Sequence, residues 1–348
     1  MKKVFLSILA VAALASCVED LGAGDAISFG APFVGNTTKA INHSYDTNNL
    51  LKEIFVYGTV QGTAAAPVSI FEHESVSKVK DGTEYAYGDA WYCAKAQYWI
   101  PGAAYRFAAV AGIEKTDVTA TLGIPTSLDF TSDGTVDLVA GYMAKTAEKT
   151  NGIVSFNMSH LLSKVKFTVK NTTNATDTSA NSGFYYKVTD MQLTNAATSG
   201  TCALTYPTTA SVSGAWTLSS TVGVNFGHAT NATYKGAANT AVEIGDRAVV
   251  TSHDELLIVP ANYPETGKLG VKFTIGLYTK DGNGNEVEIN EPAEKTAAVA
   301  VDLVAGHAYN FVIEVSIGQL IQFTVAQNPT WTTEGENTVY SDTVVINN

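Results

Sequence analysis

The chain has 348 residues, with 33 acidic against 21 basic side chains, a formal net charge of −12 and only two arginines, Arg106 and Arg247. That balance excludes nucleic acid as a partner, because phosphate binding needs clustered Lys and Arg. The length suggests about two domains; a composition rich in Thr, Val, Tyr, Gly and Ala, with 16% charged residues and no sustained helical apolar spacing, points to an all-β fold of short strands.

At the amino terminus Lys2 and Lys3 precede an apolar run, residues 4–14, that is too short to span a bilayer as a helix. Leu14-Ala15-Ser16-Cys17 follows and looks like a lipobox, so residues 1–17 read as a lipoprotein signal peptide with Cys17 lipidated in the product. More than one acyl chain would make that anchor stable. The acidic Glu19 and Asp20 resemble an export signal to the outer face of the outer membrane.

Ile27, Phe29, Ala31 and Phe33 then alternate with Ser28, Gly30, Pro32 and Val34, which predicts a strand. Pro32 places that strand at a sheet edge or at a position without a ladder bond. A polar loop, residues 35–49, carries Lys39 and leads to a strong strand at 54–60. Further strands are expected at 68–71, 84–87, 96–100 and 105–110, with Pro101-Gly102 as a turn. Trp91, Tyr92, Tyr98 and Trp99 have two readings, a sugar-stacking platform or hairpin packing; the second is preferred because strand aromatics usually fill a half-buried sheet.

Residues 157–170 read as one half-buried strand, with Leu161, Val165, Phe167 and Val169 on the dry face and Lys164, Lys166, Thr168 and Lys170 on the wet one. The polar stretch 145–152 before it sets the expected boundary: a first domain over 18–152 and a second over 153–331. His160 reads as structural, since no second histidine stands at metal-ligand spacing. Strands follow at 185–193, 203–206, 256–260 and 269–277. The turn at 281–285 is calcium-loop-like only superficially, because Glu286 replaces the sixth-position glycine and Pro292 the final carboxylate. After the alternation at 309–315, Ile321, Phe323 and Val325 lead to Trp331. Residues 332–348 then append a strand-competent segment, either a donor to another chain or an edge strand of its own sheet.

Cys93 and Cys202 read as buried free thiols, and no spacing supports a metal. Nucleophile elbow, zincin, P-loop and dinucleotide motifs are missing, and the two S-x-x-K matches, at 75–78 and 163–166, fall on predicted strands, so neither enzyme activity nor a cofactor is expected.

Five elements recur in a familiar order: the lipobox, a first strand tied by an exposed basic loop, the hairpin Trp99-x-Pro101-Gly102-x-x-Tyr105-x-Phe107, the strand His160-x-Leu162-Ser163-Lys164-Val165 after 137–145, and Ala305-Gly306-x-x-Tyr309-x-Phe311. In this order the chain resembles the fimbrillin family, type V pilins and related outer-membrane lipoproteins of Gram-negative bacteria. The resemblance implies two tandem transthyretin-like β-sandwich domains, a surface-exposed lipid-anchored precursor, and a polymer with other fimbrial subunits. It also implies cleavage between Lys39 and Ala40, where many stalk pilins carry Arg. Loss of Ile27, Phe29, Ala31 and Phe33 would open a groove for a neighbour's strand, matched here by Val339, Tyr340, Thr343, Val344, Val345 and Ile346. The alternative is a tip adhesin, or a monomeric surface lipoprotein binding a host protein or glycan.

Overall fold

The computed structural model describes residues 25–34, 51–80, 83–84, 90–177, 181–206, 211–219, 224–226, 242–251, 256–319, 321–328 and 338–346. Cys17, Lys39, Ala40 and Trp331 lie outside them. Every regular element described is a strand, apart from one 3-10 turn at Lys115–Asp117, so the fold is all-β.

The first sheet has eight strands in the order Phe29–Gly30, Ala90–Cys93, Val68–Ser77, Glu53–Gln61, Ala104–Ala111, Val139–Thr146, Asn157–His160 and Phe33–Val34. Its first and last members belong to one short run of chain, so the sheet closes on itself through residues 29–34. Inside lies an aromatic core of Phe29, Phe71, Trp99, Tyr105, Phe107 and Phe156.

A six-stranded sheet and a five-stranded sheet share the second core. Ser163–Asn171 is central to the six-stranded sheet, parallel to Ala308–Val315 and antiparallel to Leu256–Ile258 and Val249–Thr251. Ile321–Asn328 and then Thr338–Ile346 continue that sheet outward. Phe184–Ala196, Leu269–Lys280 and Glu286–Val299 form the body of the five-stranded sheet. Val165, Phe167 and Phe311 meet Val188, Leu193 and Phe273 between the two. A four-stranded sheet joins Val118–Thr121 and Ile124–Thr131 to Ser199–Thr205 and Ser213–Leu218, pairing Leu128 with Cys202.

The stretch 157–170 is two strands rather than one. Asn157–His160 completes the first sheet, the chain turns at Leu161 and Leu162, and Ser163–Asn171 opens the six-stranded sheet. Sheet membership thus changes at 161–162, not at 153. The expected wet face is partly dry as well, because Lys164 and Thr168 are buried where strands flank them on both sides. Thr168 is satisfied by donating to Asn310 Oδ1 at 2.9 Å. The expected strand at 96–100 is a turn-rich approach to Gly102, and the strands at 118–131 carry too many Thr and Ser for their alternation to stand out.

One local device occurs twice. Tyr105 Oη accepts from Ile100 N at 2.8 Å and donates to Tyr98 O at 3.0 Å. Tyr309 Oη accepts from Val304 N and donates to Asp302 O, each at 2.8 Å, so the same offsets of five and seven residues recur. In both corners a glycine three residues before the tyrosine, Gly102 at φ 82° and Gly306 at φ 74°, takes the left-handed conformation open to a residue without Cβ. A hydroxyl reaching back to upstream backbone in this way locks a strand entry.

Candidate assembly interface

Residues 25–34 lie in a slot between two rims of the first sheet. On one rim Ile27 N donates to Gln97 O at 2.8 Å and Trp99 N to Asp25 O at 3.0 Å, while Phe29 and Gly30 stand antiparallel to Trp91 and Ala90. On the other, Gly30 N donates to Val154 O and Phe33 N to Phe156 O, both at 2.9 Å, and Val154 N returns a bond to Ser28 O at 2.8 Å. Phe33 and Val34 run parallel to Asn157 and Met158. The segment is therefore a seam between two rims rather than an edge strand, and Pro32 takes the other place open to it, a position without a ladder bond between Phe29–Gly30 and Phe33–Val34.

Burial also departs from strict alternation. Ile27 and Phe29 point inward; then the phase shifts, so that Pro32 and Val34 are buried while Ala31 is half-buried and Phe33 is 49% exposed. The irregular step at 31–32, where proline offers no N–H, separates two short strands and turns the side chains over. Val34 thus takes the place expected for Phe33. Phe29 is the anchor: its ring centroid lies 5.2 Å from Phe71, 5.9 Å from Phe107 and 6.3 Å from Phe156. Phe71, Phe107 and Phe156 come from three separated segments, so local sequence pattern does not reveal this lining.

At the other end of the chain Thr338–Ile346 pairs antiparallel with Ile321–Asn328 on its own sheet, matching Val339 to Ala326, Tyr340 to Val325, Val344 to Phe323, Val345 to Gln322 and Ile346 to Ile321. A register shift falls between Phe323 and Val325, leaving Thr343 in an irregular stretch of the ladder. In this structure the candidate donor is an intramolecular edge strand.

Other residues singled out by sequence have structural positions. His160 Nδ1 donates to Asp137 Oδ2 at 2.7 Å, both side chains being buried. The aspartate stands 23 residues upstream and was invisible to a search by spacing. Beside the pair, Leu161 N bonds Leu138 O at 2.9 Å, so this group fastens the turn between the sheets. Trp91 and Trp99 are core residues, whereas Tyr98 is exposed. Cys93 and Cys202 are free thiols, but only Cys202 is buried as expected, Cys93 being half-buried; burial pushes the Cys202 thiol up to about 12. Residues 281–285 form a hairpin turn closed by Asp281 N donating to Asn285 O at 2.8 Å.

Residues 38–329 match the family model described as fimbrillin-like. The chain belongs to the fimbrillin-like family. Membership makes this fimbrillin-like chain a fimbrial structural protein of a cell-surface appendage, not an enzyme. Among solved structures, a fimbrial protein from Bacteroides vulgatus is similar at 14% identity and a TM-score of 0.57, covering 80% of this chain and 93% of that one. A fimbrial assembly protein from Parabacteroides distasonis is similar at 11% identity and a TM-score of 0.41, covering 87% of this chain and 96% of that one. The first likeness supports the β-sandwich fold of this fimbrillin-like chain. No curated protein matches it.

Proposed function

We propose that the protein is a fimbrial subunit assembled by strand exchange from a lipoprotein precursor. In this reading Cys17 carries the outer-membrane anchor, the chain folds as two tandem transthyretin-like sandwiches joined at residues 161–162, and cleavage between Lys39 and Ala40 frees the segment that includes Ile27, Phe29 and Val34. A neighbour's residues 338–346 then fill the vacated slot by strand addition.

The observation that carries the reading is the seam. A short run of chain is held between two rims by main-chain bonds, with one aromatic side chain in the core, and its removal leaves unpaired donors and acceptors on Gln97, Val154, Phe156 and Trp99. Burying three apolar side chains at about 1.5–3 kcal/mol each gives roughly 5–9 kcal/mol before ordering costs, enough to drive insertion of a replacement strand. Pairing on both sides means that the segment does not peel from one edge; cutting the chain after it, between Lys39 and Ala40, is what allows departure.

Replacing Lys39 with alanine should leave a lipidated precursor whose amino terminus, read by mass spectrometry, is Cys17, and should abolish SDS-resistant ladders. Ladders that persist in this variant count against strand exchange. A second reading, a tip or anchor subunit that receives a strand without donating one, is favoured by the pairing of Thr338–Ile346 with its own sheet. Deleting residues 338–346 separates the two: a stalk subunit loses polymer while surface display persists, and a tip or anchor leaves the polymer unchanged.

A further inference from the structure

A cleft of about 580 Å³ opens where the turn at Leu161 meets the ribbon formed by Asn262–Tyr263 and Val301–Asp302. Its size lies within the range of ligand pockets, roughly 300–1,000 Å³. On one wall Asn262 and Asp302 are directly opposed antiparallel partners. Ala261, Tyr263, Val301 and Leu303 are all buried, so strand alternation turns Asn262 and Asp302 outward together, and both are exposed. An amide and a carboxylate thus stand side by side, about 5 Å apart at Cβ by the geometry of such pairs.

Trp216 also lines the cleft, half-buried, with its Nε1 donating to Leu161 O at 2.9 Å. The wall is rigid: Tyr309 Oη clamps Asp302 O and Val304 N, and Leu303 N donates to Ala261 O at 2.9 Å. Among the described residues lining the cleft there is no Lys or Arg.

We propose that this cleft binds an uncharged sugar unit of a glycan. An indole offers an apolar surface to sugar C–H groups. An ionised carboxylate accepts two hydroxyl protons, and the adjacent amide both donates and accepts, a set matched to neighbouring hydroxyls of one ring. Asp302, with no Lys or Arg among the described residues lining the cleft, repels sialylated, uronic and sulfated sugars. The cleft begins one residue beyond the seam, at Ser159 after the Met158–Val34 pair, but its polar wall of Asn262 and Asp302 comes from other strands and the proposal does not depend on strand exchange.

The test is saturation-transfer NMR on the full chain with N-acetyllactosamine and maltotriose, using sialyllactose as the anionic counter-probe. Expected is transfer to at least one neutral saccharide and none to sialic acid. Asp302→Asn and Asn262→Ala should each weaken binding about tenfold, the worth of a hydrogen bond involving a charged or well-placed polar group, with unchanged melting. Tyr98→Ala, which removes an exposed aromatic elsewhere, should leave it intact. No transfer to either neutral saccharide at millimolar concentration, equal transfer to sialyllactose, or indifference to Asp302→Asn would overturn the proposal.

Discussion

The corners at Tyr105 and Tyr309 are built alike, yet the sheets they introduce end differently. From Ala104–Ala111 the first sheet steps antiparallel to Val139–Thr146, then to Asn157–His160, and is then covered by Phe33–Val34. From Ala308–Val315 the second steps antiparallel to Ile321–Asn328, then to Thr338–Ile346, where the sheet order ends. The two ladders match for three strands, and the first has one more. That extra strand comes from the segment which the proposed maturation would discard, so the comparison locates specialisation in sheet closure rather than in the shared framework.

The most disruptive test of this difference is Phe29→Ala. Removing a fully buried phenylalanine should cost about 3–5 kcal/mol by urea unfolding, and exchange of the Gly30, Phe33 and Val154 amides should accelerate while those of Ser163–Asn171 keep their protection. Phe33→Ala, at a half-exposed position on the same segment, should stay within about 0.5 kcal/mol of the parent. Equal losses at the two positions would break the account of the phase shift.

Next in size are the corners themselves. Tyr105→Phe strands one donor and one acceptor, at about 1–3 kcal/mol. Tyr309→Phe should cost more, because Gln327 Nε2 also donates to Tyr309 Oη at 2.9 Å. Chemical denaturation of the two variants side by side checks the order.

The smallest effect is acid sensitivity. Burial holds His307 below the usual histidine value; burial, then the nearby Lys115, does the same for His73. A depressed histidine keeps its full contribution above the unfolded value and loses it as pH falls through about 6.5 toward the lower folded value. His307 has a structural reason to stay neutral, since Gln327 Nε2 donates to its Nδ1 at 2.6 Å and a protonated Nδ1 cannot accept. Thermal midpoints should therefore decline on that acid limb, and His307→Gln should flatten the decline.

Much of this was legible in the chain. The apolar run at 54–60 and the alternation at 269–277 and 309–315 mark strands that the structure contains at Glu53–Gln61, Leu269–Lys280 and Ala308–Val315. The glycine three residues before each corner tyrosine was visible too, but the shared hydroxyl bonds behind it were not. What escaped depends on long-range pairing: Asp137 beside His160, Asn262 opposite Asp302, and a second rim at Val154 that turns a predicted edge into a seam. Local pattern reports which side of a strand is apolar, not how many neighbours the strand acquires.

The four-stranded sheet bears on how such a subunit carries load. Because Ser127 to Thr131, carried on the chain between Ala104–Ala111 and Val139–Thr146 of the first sheet, pair with Ala203 to Ser199 and bury Leu128 and Phe130 in the second core, a backbone ladder braces the first sheet's chain to that core and residues 161–162 are not the sole tether. Tension along a filament would have to shear or unzip that brace before one core could swing away from the other. Compliance would then reside at the joints between successive subunits, leaving each subunit a stiff link.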